Sequence, residues 1–381
     1  MRTQLYKWHS KHGDLVEFAG FEMPIMFSSI KEEHLAVRNT VGLFDVSHMG
    51  RMWIRGKDAE KFLNFLVPRD LSKIQVGRAS YTFMLNEQAG FKDDLVLERI
   101  EQNEWLLIWN AGNLEKIKHW INTHYDFIRM FSQIGVNLVD VSTTSAMFAL
   151  QGPKAVDVLK KMLNESVILP NSWGVINTTF NNIDLIISGT GYTGESGYEI
   201  IILNTTNEDP SAAEIIWETL LKNGKEFNIK PCGLGARDSL RLEAGYHLYG
   251  NDLNENIDPI TAGLYFPPFI HMMKENFVGK TMLELLEKNK PMKKRIGLIA
   301  MKKGPSPRAG QNLFYTGIEI GSVSSGGFSP LLDLGIAMGY VDASVPLNSG
   351  IVQFEARRKM YDAQIKDFPL FDQKKYGKNR E

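Results

Sequence analysis

The feature that most constrains this chain is a plan stated twice. "MWIRGKDAEKFLNFLVP" reads as a strand, a glycine, and a helix opened by Asp58 and stopped before Pro68. "AMFALQGPKAVDVLKKML" repeats that order, with Pro153 in the first helical turn, where its missing N–H is no loss. Gly56, Ala59 and Leu63 recur as Gly152, Ala155 and Leu159, each 96 positions on. After the first copy come the strands "SYTFML", "DLVLERI" and "WLLIW", parted by turns at "NEQAG" and "EQNE", then an amphipathic helix opened by Asn113. After the second come "IDLIISGT", "YEIIIL" and the helix "SAAEIIWETLLKNG", with a capping box at Ser211 and Glu214. Two units of strand, helix, strands and helix predict a duplicated α+β fold with antiparallel pairing.

Upstream, "SSIKEEHLAVRNTVG" predicts a helix with a capping box at Ser29 and Glu32 and an exit at Gly42. From about residue 290 the texture changes to short strands separated by glycine and proline, which predicts a C-terminal β-barrel or sandwich. The lysine-rich "LLEKNKPMKKR" is the expected linker.

Forty-three basic against forty-four acidic residues leave a net charge of −1, so no global bias favours nucleic acid. A single cysteine, Cys232, excludes an intrachain disulfide and a cysteine metal cluster. The sequence holds no apolar run of the roughly 18 residues that span a bilayer, and its start lacks a signal-peptide core. A cytoplasmic protein, free of membrane and nucleic acid, is the expectation.

"SGTGYTGESGYEI" carries the spacing Gly189-x-Gly191-x-x-Gly194, a dinucleotide-loop fingerprint. Such a loop must open a helix, but the next segment is the β-branched, aromatic "YEIIIL". A hairpin loop is therefore predicted, with positive φ at several glycines and with Tyr192 and Glu199 beside it. Asp93 and Asp94 sit at the mouth of a strand, where alternation turns their carboxylates to opposite faces. They read either as exposed turn residues or as a partly buried acid that orients or deprotonates a ligand amine. "KPCGLGARDSLRLEAG" predicts a helix over 234–244 closed by Gly245. On it, Arg237 and Arg241 read either as surface ion pairs with Asp238 or as a fork for an anionic ligand. His9 and His12 read as an exposed helix face rather than a metal site, and His48 as a packed structural histidine.

Together the blocks "GLFDVSHMG", "GYTGESGYEI", "KPCGLGARDSLRLEAG" and "LYGNDLNENIDPITAGL" resemble the aminomethyltransferase family, the T-proteins of the glycine cleavage system. The resemblance runs over nearly the whole chain. It implies three domains around a central opening: residues 1–50 with 140–280, an interleaved 51–139, and a barrel over 290–381. It implies transfer of a methylene from an aminomethyl-dihydrolipoyl carrier, the H-protein, to tetrahydrofolate, with release of ammonia. Carried over by motif, Asp93 is the catalytic acid, Glu199 and Arg237 bind folate, and Met49, Tyr81, Asn110 and Tyr192 line the pocket. Arg308 and Tyr376 match further ligand-binding positions, and no metal is implied. The chain departs from the family pattern at Ala89, Lys92, Gly189 and Tyr265. Two other readings within reach are a tetrahydrofolate-dependent demethylase of a small compound and a non-catalytic folate-binding protein. The retained Asp93-Asp94 pair favours the transferase.

Overall fold

The computed structural model describes residues 1–164, 166–289, 291–348 and 350–380. The duplication is visible strand for strand. In one sheet the order is Arg78–Leu85, Phe91–Glu101, Glu104–Trp109, Gly50–Arg55, Asn137–Asp140, all antiparallel. In the other it is Val175–Phe180, Ile183–Ser188, Gly197–Leu203, Ser145–Gln151, then Gly42–Asp45 and Lys230–Pro231. The first four strands of each sheet come from corresponding parts of the two repeats. Sequence pattern alone missed Val175–Phe180, whose "VINTTF" has polar residues on its exposed side and little apolar signal.

Both repeats turn on the same glycine. Gly56 (φ +123°) and Gly152 (φ +125°) sit between strand and helix in a backbone conformation that L side chains rarely adopt. An added Cβ would stand 2.1 Å from the Gly135 carbonyl oxygen in one and 2.5 Å from that of Thr40 in the other. The helices after them bury matching positions: Ala59, Phe62, Leu63 and Leu66 in one, Ala155, Val158, Leu159 and Met162 in the other.

Several predicted caps resolve differently. Ser29 does accept from the Glu32 N–H, at 3.2 Å. The Ser211–Glu214 box does not form, because Ser211 donates its hydroxyl to Asp209 at 2.6 Å and Pro210 holds the cap position. Asp58 directs its carboxylate away from its own helix, to the Gly135 N–H at 2.7 Å. Gly42 is no helix exit. It begins a strand, where a Cβ would lie 2.4 Å from Val37 and 2.7 Å from the Cys232 sulfur.

The two sheets face one another across a shared apolar layer. Trp53, Ala79, Leu106 and Ile108 of one meet Phe44, Met147, Ile186 and Ile201 of the other. Ala236 and Leu240 of helix Leu234–Ala244 complete that layer, and each sheet packs its own helices on its outer face. The six C-terminal strands close into a barrel. The expected linker is mostly structured: helix Lys280–Lys288 occupies its first half and strand Lys293–Ala300 begins in its last residues.

Helix Leu234–Ala244 fastens the barrel to the sheets. Arg241 donates to Asp252 at 2.8 Å and to Ser325 of the barrel at 3.0 Å, and Glu243 accepts from Ser329 of the barrel at 2.5 Å. From the sheet side, Arg38 reaches the same Glu243 at 2.9 Å and Glu195 at 3.0 Å. All of these charges are buried.

Candidate functional site

A cavity of about 980 Å³ opens where the inter-sheet layer, helix Leu234–Ala244 and the barrel converge. That is the size range of a ligand larger than a simple metabolite. Of the nine residues expected at a site, the fold brings six to this cavity: Met49, Tyr81, Asn110, Tyr192, Glu199 and Arg237. They come from separate parts of the chain: Met49, Tyr81 and Asn110 lie on or beside strands of one sheet, Tyr192 and Glu199 on the hairpin of the other, and Arg237 on helix Leu234–Ala244.

The two members of the aspartate pair are placed differently. Asp93 is fully buried and does not line the cavity, whereas Asp94 does. Neither is an exposed turn residue. A bulge at Lys92, where Met84 pairs with Asp93 and Leu85 already with Phe91, precedes the pair, and alternation along the strand turns Asp93 to the interior and Asp94 to the cavity. The Asn110 side-chain amide reaches both carboxylates at 2.8 Å. Asp93 also accepts from the Asn110 backbone N–H at 3.1 Å, so it is turned inward to brace this corner. Asp94 accepts from the Tyr81 hydroxyl at 3.1 Å and presents its remaining surface to the cavity. Burial first, and for Asp93 the charge of Asp94 next, push both carboxyls well above the usual range. A pair so close cannot easily carry two charges.

Across the cavity stands the hairpin loop that joins Ile183–Ser188 to Gly197–Leu203. Two antiparallel strands flank it and no helix comes after it, so the dinucleotide reading fails in the structure as in the sequence. The glycines serve close packing more than positive φ, which only Gly194 has (+81°). A Cβ on Gly189 would stand 2.1 Å from the Asn171 carbonyl oxygen, and one on Gly191 2.0 Å from Gln151 Oε1. At the loop's base the Thr190 hydroxyl donates to Glu199 Oε2 at 2.5 Å and contacts Ser188 at 2.8 Å.

Arg237 and Arg241 are not the exposed pair that helix periodicity allowed. Arg241 is buried on Asp252, while Arg237 turns to the cavity with its guanidinium 4.8 Å from the Tyr192 ring. Its Nη1 is buried without a hydrogen-bond partner among the described residues, an unmet donor of the kind a ligand satisfies. Burial lowers its affinity for the proton. Tyr192 is pinned by its hydroxyl to the His247 carbonyl and stacks near Tyr246 at 5.9 Å.

Arg308 and Tyr376 lie off the cavity. Arg308 is exposed on the barrel, and Tyr376 is half-buried in the tail. The tail instead sends in Lys378, and the barrel sends Arg295. Neither residue carries a motif, so only tertiary structure could find them. His48 also lines the cavity, in edge contact with Phe18; burial and then Arg237 depress its pKa to about 3, so it is neutral. His9, expected on an exposed face, is buried against Asp45 at 2.8 Å, while His12 stacks outside on Trp8. Among the described residues no three His, Cys, Asp or Glu side chains gather as a metal site, and no helix is long and apolar enough to cross a membrane.

Fold and cavity together define a class: a duplicated antiparallel α+β pair, closed by a barrel, around one cavity furnished with carboxylates, arginines and aromatic rings. Residues 5–274 match the GCVT N-terminal domain and residues 293–372 the glycine cleavage T-protein C-terminal barrel domain. The chain is 38% identical to the probable aminomethyltransferase of Pyrococcus horikoshii, over 100% of this chain and 99% of that one. It is also 38% identical to the aminomethyltransferase of Caldanaerobacter subterraneus, over 99% and 97% of the two chains. The crystal structure of glycine cleavage system aminomethyltransferase T from Bartonella henselae superposes with a TM-score of 0.86 at 32% identity, covering 99% of each chain. The chain belongs to the glycine cleavage T-protein family and is an aminomethyltransferase.

Proposed function

We propose that the cavity binds tetrahydrofolate and that the enzyme passes to it the methylene of an aminomethyl group carried on the dihydrolipoyl arm of an H-protein. The observation that carries this reading is the convergence of Asp94, Glu199 and Arg237 on one aromatic-lined cavity. Glu199, held by Thr190 at one oxygen, suits the paired N–H donors on the edge of a pterin. Tyr192 and Met49 offer flat and polarisable surface for its ring. Arg237 offers a free donor to a carbonyl or carboxylate of the ligand.

The catalytic carboxylate in this reading is Asp94 rather than Asp93. A folate nitrogen becomes cationic as it attacks the methylene carbon, and a carboxylate at the cavity wall stabilises that charge or takes the proton. Tyr81 and Asn110 hold Asp94 in place for this. Two folate nitrogens bond in turn to the methylene carbon as its bonds to the ammonia nitrogen and to the lipoyl sulfur break, and the two N–H protons they lose go to those leaving groups, so methylenetetrahydrofolate, ammonia and the dihydrolipoyl carrier are released. A cytoplasmic setting, with neither membrane nor nucleic acid as partner, goes with this role.

The purified protein should form methylenetetrahydrofolate when given both tetrahydrofolate and aminomethylated lipoyl carrier. Turnover of a small methylated compound with none of the carrier would replace this reading by the demethylase. Tight folate binding without either turnover would leave a binding protein.

A further inference from the structure

Trp173 is held in a conformation that a bulky residue rarely adopts. Its φ is +61°, in the left-handed region, where a side chain as large as an indole is strained. Both of its backbone groups are engaged. Its N–H donates to the Gly189 carbonyl at 3.0 Å, and its carbonyl accepts from the Ala79 N–H at 2.8 Å. Ala79 lies on one sheet and Gly189 on the hairpin loop of the other, so Trp173 bridges the two and lines the cavity. Strain of this kind persists only where the surroundings enforce it, and it gathers at ligand sites.

Lys378 also lines the cavity, with its ammonium 5.9 Å from the Trp173 ring. That ammonium makes no hydrogen bond or ion pair among the described residues. Of the arginines in the wall, Arg241 is committed to Asp252, Arg295 to the Gly245 carbonyl, and Arg237 lies over Tyr192. An ammonium has three donors and no acceptor, so what it awaits is an acceptor. The loop fixes where. Trp173 bonds to Gly189, the next residue is Thr190, and Thr190 donates to Glu199. Val175, Ser188 and Glu199 stand in one row across the sheet, and the Lys378 N–H bonds at 3.1 Å to Gly194 of the same loop. Trp173 and Lys378 therefore stand at the Glu199 end of the cavity. Burial weakens the lysine's hold on its proton, and the charge of Glu199 opposes that.

We propose that Lys378 is a further substrate-binding residue: its ammonium, backed by the Trp173 ring, donates to the carbonyl oxygen of the pterin. This rests on the folate reading of the cavity. Along one edge a pterin presents an amino group, a ring N–H and that carbonyl, in this order. Glu199 accepts from the two N–H groups and leaves the oxygen to a donor beside it. A carboxylate and an ammonium side by side thus read donor, donor, acceptor. The tail, which carries no motif, completes the recognition that the hairpin loop begins.

The test is calorimetric titration, under exclusion of oxygen, into wild type, Lys378→Met and Lys378→Arg. The probes are tetrahydrofolate and 6-methyltetrahydropterin, which lacks the aminobenzoylglutamate, the second read by its displacement of the first. Lys378→Met should weaken both by about tenfold or more, the scale of a lost charge-assisted hydrogen bond, and leave their ratio unchanged. Lys378→Arg keeps a cationic donor and should stay within about threefold of wild type. Unchanged tetrahydrofolate affinity in Lys378→Met would overturn the proposal. So would a loss for tetrahydrofolate without a matching loss for the tetrahydropterin, which would put the lysine at the glutamyl end. Wild type that binds neither probe would refute the folate reading itself.

Discussion

Asn110 donates twice to Asp93, through its backbone N–H at 3.1 Å and its side-chain amide at 2.8 Å. That relationship makes Asp93 a brace. Its oxygens are occupied inside the protein, and the neighbouring Asp94 is the one that meets the cavity.

Asp94→Asn should therefore lower turnover by about 10²-fold or more, the scale of a lost general acid or base, with tetrahydrofolate affinity within about threefold of wild type. Asp93→Asn should act mainly on stability, by about 1–3 kcal/mol, because a new donor would face Asn110. Single-turnover rates and urea titrations on both variants decide between them. A larger rate loss in Asp93→Asn at unchanged stability would return the catalytic role to that residue.

Glu98 lies wholly buried and makes stability depend on pH. Its folded-state pKa, about 8, is raised above the ordinary 4.5 of an unfolded glutamate. Between those values the folded state holds a proton that the unfolded state has lost. The contribution is fully present below pH 4.5, weakens as pH rises, and is gone above about 8. The slope is about −1.4 kcal/mol per pH unit for one such group. Asp93, raised in the same direction, adds to it. Denaturant midpoints across the mildly acid to mildly alkaline range should show the decline, and Glu98→Gln should flatten it by roughly one proton's share.

Arg38 holds two buried carboxylates, Glu195 at 3.0 Å and Glu243 at 2.9 Å. Arg38→Met should destabilise by about 3–5 kcal/mol, since it strands charge in the interior. The double variant Arg38→Met/Glu243→Gln should recover part of that loss. Equal denaturation midpoints for Arg38→Met and wild type would show the pairs to be dispensable.

The paired glycines offer an internal comparison. Gly56→Ala and Gly152→Ala each place a Cβ within 2.5 Å of a backbone carbonyl oxygen, at φ +123° and +125°. Each should cost more than about 1 kcal/mol, to be read from thermal and denaturant unfolding. A neutral effect at one alone would mean that the two repeats have diverged in how tightly that turn is packed.

The repeat was legible because Gly56 and Gly152 are demanded by backbone geometry, and the apolar helix positions after them by burial. The barrel and the hairpin nature of the glycine loop were legible for similar reasons, being local patterns of alternation and turn chemistry. The sequence could not say which of Asp93 and Asp94 faces the cavity, since alternation puts them on opposite faces of the strand and only the packing of the sheets shows which face adjoins the cavity. Nor could Lys378 and Arg295 be found, because no local rule marks a residue that arrives from a tail or a barrel strand. Arg241 and His9 looked like surface residues by spacing. Their partners, Asp252 and Asp45, come from elsewhere in the chain and make burial tolerable.

The segment around Lys378 carries a consequence of its own. The Gly377 N–H and the Arg380 guanidinium both bond to Glu195, and the Lys378 N–H bonds to the Gly194 carbonyl. Gly377 lies 182 positions beyond the glutamate it secures, and Lys378 beside it forms part of the cavity wall. The wall at Lys378 thus belongs to the cavity only while residues 377–380 stay docked on the loop that carries Gly194 and Glu195.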